Sequence, residues 1–159
     1  MTNALPIATT VLAALLSIEP LHLDGYAALT PAFTLMATYH WTIYRPNLLP
    51  APSLFLIGTI EDLLTGRLPG VTAVTLLLAR AIILPHRHYL LYRLFPFIWA
   101  GFTLLTGGVM LFLWALHSML AAELLDLRGP VLRAVVTISV FPIASFLLGR
   151  SQRALIGAE

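Results

Sequence analysis

The chain has no cysteine and no lysine, and only 10% of its residues are charged. The first absence excludes a disulfide framework, thiol chemistry and a thiolate metal site. The second leaves arginine as the whole basic complement, nine residues against seven acids. The scarcity of charge is the most restrictive of the three. A water-soluble domain carries about 25% charged residues, and this chain could not solvate its surface in water. Its net charge of +2 is too small to point to nucleic acid. The nucleophile elbow, the zinc-binding helix, the phosphate loop and the dinucleotide fingerprint are all missing. No catalytic residue, cofactor or metal is therefore expected, and the reading is against an enzyme.

What is there instead is apolar: 59% of the 159 residues are hydrophobic, and the mean hydropathy is +0.91. Lipid is the solvent that fits. Apolar runs separated by short polar loops predict an all-α fold. It would be a polytopic transmembrane bundle of about six helices forming one integral membrane domain over 1–159. The runs lie near residues 4–18, 27–44, 51–65, 69–84, 94–120 and 131–148. The first lacks a basic leader and a small-residue cleavage site, so it is expected to be retained as a helix. The third and fourth are short. Fifteen residues at ~1.5 Å each reach only ~22 Å of a ~30 Å hydrocarbon core. They would form a short hairpin, either spanning thinned bilayer or re-entrant.

With the N-terminus inside, the cytoplasmic segments hold Arg45, Arg80, Arg87, Arg93, Arg150 and Arg153. The outer segments hold Arg67, Arg128 and Arg133 with Glu19, Asp24, Glu123 and Asp126. That asymmetry obeys the positive-inside rule and puts both termini in the cytoplasm. Thr30, Thr34, Thr38 and Thr42 recur every four residues and form a hydroxyl stripe, which could bond carbonyls one turn back and admit a neighbouring helix. Pro85-His-Arg-His88 reads as a basic loop at headgroup level, and Arg80 as a side chain able to snorkel. His22, His40 and His117 fall near helix ends, where an interfacial position is expected.

The most informative stretch is Gly58-Thr-Ile-Glu-Asp-Leu-Leu-Thr-Gly-Arg-Leu-Pro-Gly70. Gly58, Asp62 and Gly66 are spaced four apart and share one helix face. Leu68-Pro69-Gly70 ends that helix, with Pro69 suited to the first turn of the next. Asp62 admits two readings. An acid in a membrane helix is a functional candidate, but this one can also bond backbone groups of the following turn, and the structural role is favoured. Asp62 or Glu61 could contact Arg67 near the interface. Glu61 lies ~100° around the helix from Asp62, so the two are not a close acid pair.

These residues resemble the central signature of the MreD family, the bacterial rod shape-determining membrane proteins. The signature is a glycine, an acid, a glycine and then a Pro-Leu-Gly turn, here written Leu68-Pro69-Gly70. Tyr39-His-Trp41 and Tyr44-Arg45-Pro46 are similar to the family's aromatic segment before the third helix. The resemblance implies a non-enzymatic scaffold of the cell-wall elongation complex in the bacterial inner membrane. Its partners would be MreC, RodA and the class B penicillin-binding transpeptidase, with MreB bound indirectly, all within membrane lipid. Gly58, Asp62, Gly66, Pro69 and Gly70 would be structural signature positions. The family's fold is similar to that of the six-helix substrate-binding subunits of energy-coupling-factor transporters, so a small-solute-binding membrane subunit is the alternative. Partner helices would dock on an exposed face, either the threonine stripe or the glycine side of the fifth helix.

Overall fold

The computed structural model describes residues 5–18, 30–66, 68–92, 94–124 and 126–156. Among them the fold is all-α, with six α-helices and no strand: α1 (Leu5–Ile18), α2 (Phe33–Tyr44), α3 (Ala51–Thr65), α4 (Val71–Leu91), α5 (Phe95–Ala121) and α6 (Arg128–Ile156). A short 3-10 turn, Pro46–Leu48, joins α2 to α3. Two helices, α5 over Phe95–Ala121 and α6 over Arg128–Arg150, are long and apolar enough to cross a membrane.

α2 is the axis. Every residue from Thr34 to Ile43 is buried, because α2 packs against α1, α4 and α6 together. Tyr39 sits edge-on to Phe102 of α5 and Phe141 of α6, and those two rings stack with centroids 4.0 Å apart. The Tyr39 hydroxyl donates to the Ile98 carbonyl at 2.8 Å, and the Trp41 indole to Thr9 Oγ1 at 2.9 Å. Aromatic side chains on opposite faces of α2 thus tie down α5 and α6 on one side and α1 on the other.

Several element ends differ from the sequence expectation, each for a local reason. α2 begins at Phe33 and not near residue 27, so Thr30 lies outside it. Thr30 precedes Pro31, and a residue before proline is pushed out of the helical region. α3 has the expected bounds. α4 is longer than expected, running 21 residues through Pro85, so Pro85-His-Arg-His88 is helix and not loop. Pro85 lies inside α4, and its missing N–H leaves the Ala81 carbonyl without a helical donor on an exposed face. α6 starts earlier, at Arg128, with the Asp126 carboxylate accepting the Arg128 N–H and Pro130 in its first turn.

Around an apolar core that includes Leu35, Met36, Phe102 and Phe141, the burial pattern has two further features. Thr10, Thr34, Thr38, Thr42, Glu61, Asp62, Thr106 and Thr137 are inside, while Leu63, Leu104, Met119, Ile143 and Leu147 point outward. Only 33% of the apolar window of α5 and 11% of that of α6 is buried, which excludes these helices as core helices wrapped by the rest of the chain.

Candidate functional site

The expected signature residues come together at the α3–α4 hairpin. Asp62 is fully buried, and its Oδ2 accepts the backbone N–H groups of Gly70 and Thr72, each at 2.9 Å. Gly70 is the residue that opens α4, and it has no side chain with which to cap its own helix. The first N–H groups of a helix need acceptors, and negative charge there is also favoured by the helix dipole. Asp62 provides both from the preceding helix. Its backbone carbonyl meanwhile accepts the Gly66 N–H that closes α3. One residue therefore terminates one helix and starts the next.

The glycines divide by role. Gly58 faces α4 so closely that a Cβ there would fall 2.5 Å from Ala73 Cα and 2.6 Å from Ala73 N. Gly66 and Gly70 touch nothing where a Cβ would stand, but adopt φ of +66° and +97°, which glycine alone reaches without strain. Gly66 is therefore a backbone hinge and not part of the packing face shared by Gly58 and Asp62. Pro69 is a correction too. It lies in the exposed turn ahead of Gly70, and α4 begins only at Val71. The left-handed Gly70 interrupts the path that would have placed Pro69 in the first helical turn. Arg67, the expected partner of Asp62 or Glu61, lies outside the described residues, as do Glu19, His22, Asp24 and Arg93.

Glu61 points elsewhere. It is buried and lines a cavity of about 40 Å³ with Thr34, Thr72, Thr75 and Arg133, room enough for water. Arg133, assigned from the sequence to the outer side of the membrane, is half-buried and lines this cavity from α6. Arg80 does not snorkel outward. Its Nη1 donates to the carbonyls of Leu49 at 2.7 Å and Pro46 at 3.3 Å, holding the 3-10 turn against α4. His40 is buried, with its ring 4.6 Å from that of Tyr44.

The threonine stripe is internal. Thr34 meets Ser17 of α1 at 3.4 Å, while the hydroxyls of Thr38 and Thr42 bond no carbonyl. The stripe serves close helix packing, and its burial rules it out as a docking face. Among the described residues no group of three or more metal-ligating side chains forms. No protein-family model matches the chain, and neither curated proteins nor solved structures gave a match.

Proposed function

We propose that this chain is a multi-pass inner-membrane scaffold of the MreD type, acting on cell-wall elongation through partner binding. The observation that carries the reading is the hairpin lock. All five signature residues fall in one hairpin, where Gly58 and Asp62 pack or bond α4 and Gly66, Pro69 and Gly70 shape the turn. The lock gives these residues a structural role in joining α3 to α4. An apolar exterior over α3, α5 and α6 agrees with lipid and partner helices as surroundings. With the threonine stripe internal, docking falls to the open Gly107 face of α5.

The test is an affinity pull-down of tagged protein from native membranes in mild detergent, followed by mass spectrometry. MreC should be recovered with RodA and the transpeptidase, and lost from Gly58→Leu or Asp62→Ala at unchanged expression. Wild-type recovery by both variants would count against the hairpin's role. The alternative, a solute-binding transporter subunit, is favoured by one feature: a cavity of about 540 Å³ lined by His40, Tyr44, Phe95, Pro142 and Ser145. Recovery of an ATPase and its coupling membrane subunit, or a ligand-dependent rise in Tm, would select that reading.

A further inference from the structure

α4 and α5 are consecutive yet touch sparsely. Between them runs a groove of about 540 Å³, where Leu78, Ile82 and Leu90 of α4 face Gly101, Leu104 and Gly108 of α5. A Cβ at Gly108 would meet nothing, so the groove is open at its floor. One end is polar. Tyr89 and His86 line it there, and Arg87 and His88 belong to the same last turns of α4. His86 Nδ1 lies 3.0 Å from the Ile82 carbonyl, which fixes the ring and leaves Nε2 as its outward corner.

From this geometry we infer that the groove binds a single acidic phospholipid, with one acyl chain along α4 and α5 and the headgroup phosphate on His86 and Arg87. Length supports the match. From Tyr89 back to Leu78 is 11 residues of α4, ~16 Å at ~1.5 Å per residue, and half of a ~30 Å hydrocarbon core is ~15 Å. The groove therefore spans one leaflet, basic at the headgroup end and apolar toward the midplane. A partner helix does not fit inside it. A cylinder ~10 Å across would fill the volume within ~7 Å, little more than one helical turn. Charge selects an anionic headgroup over a neutral one, since basic side chains at helix ends attract anionic lipid.

The inference rests on the membrane reading above, and the test separates the two. The full chain, purified in mild detergent, is equilibrated with equimolar phosphatidylglycerol and phosphatidylcholine, and retained lipid is read by native mass spectrometry. One phosphatidylglycerol per chain is expected, favoured roughly fivefold, the weight of about one arginine at an anionic surface. His86→Ala with Arg87→Ala should bring the two lipids to parity. Gly108→Leu should fill the groove and abolish retention of both, while Gly129→Leu, outside the groove and also meeting open space, should retain lipid as the native chain does. Equal retention of the two lipids by the native chain, or retention unchanged by Gly108→Leu, overturns the site. A chain that needs detergent yet retains neither lipid overturns the site alone. One that stays in solution without detergent overturns the membrane reading as well.

Discussion

The indole Nε1 of Trp99 donates to the carbonyl of Ile138 at 3.1 Å, joining α5 to α6. Ile138 stands four residues before Pro142, which lies inside α6. In an unbroken helix that carbonyl would take the N–H of residue 142, and proline has none. Trp99 supplies the missing donor from the neighbouring helix, so the proline and the interhelical bond form one feature. Trp99→Phe should cost about 1 kcal/mol or somewhat more. In a Pro142→Ala background, where α6 recovers its own donor, the same change should cost clearly less. A double-mutant cycle on unfolding in detergent measures this, and strictly additive costs would sink the coupling.

At Gly58 the limit is backbone against backbone. Gly58→Ala should destabilise the protein by about 1–3 kcal/mol, because α3 must move off Ala73. Gly107→Ala meets open space and should be neutral or stabilising by up to about 1 kcal/mol. Thermal melts of the two variants side by side check the contrast.

Asp62→Ala removes the acceptor of two amides at once and should cost about 3 kcal/mol. Asp62→Asn keeps an oxygen able to accept both amides but loses the charge that strengthens them, and should cost less than the alanine variant. Hydrogen exchange gives the residue-level reading: the amides of Gly70 and Thr72 should exchange faster in both variants, and more so in the alanine one. Unchanged protection at those two amides would rule out the cap.

Gly101 makes room for Tyr39. A Cβ at Gly101 would lie 2.8 Å from the Tyr39 hydroxyl, the group that bonds Ile98. Gly101→Ala should therefore cost about 1–2 kcal/mol in the native chain and less in a Tyr39→Phe background. Unfolding of the two single variants and the double variant decides it.

What could be read from the sequence was local. The bounds of α3 followed from Pro52 at its start and Gly66 at its end, and a bond from Asp62 to the turn followed from its position a few residues before Leu68-Pro69-Gly70. The start of α2 was also legible, since Pro31 forbids Thr30 a helical conformation, but the four-residue threonine period outweighed that signal. The same local rule failed in the other direction at Pro85, where α4 simply continues. Features that join distant segments had no signal. Glu61 and Arg133 reach one cavity only because α3 and α6 approach in three dimensions. Pro142 implied that the Ile138 carbonyl needed a donor, but nothing in the spacing named Trp99. Which way the threonine stripe faced was equally invisible, because a period fixes a face and not its neighbour.

The cap made by Asp62 also sets an order for biogenesis. Its two donors lie eight and ten residues downstream, so when α3 leaves the ribosome the carboxylate has nothing to bind. A lone aspartate at membrane depth costs ~2.5–3.5 kcal/mol on insertion, and α3 is short as well. Under the proposed multi-pass reading, α3 should enter the bilayer together with α4, as a pair assembled at the translocon, and not as an independent segment. Truncation after Thr65 should leave α3 uninserted in a glycosylation-mapping assay, whereas extension through Leu91 should restore it.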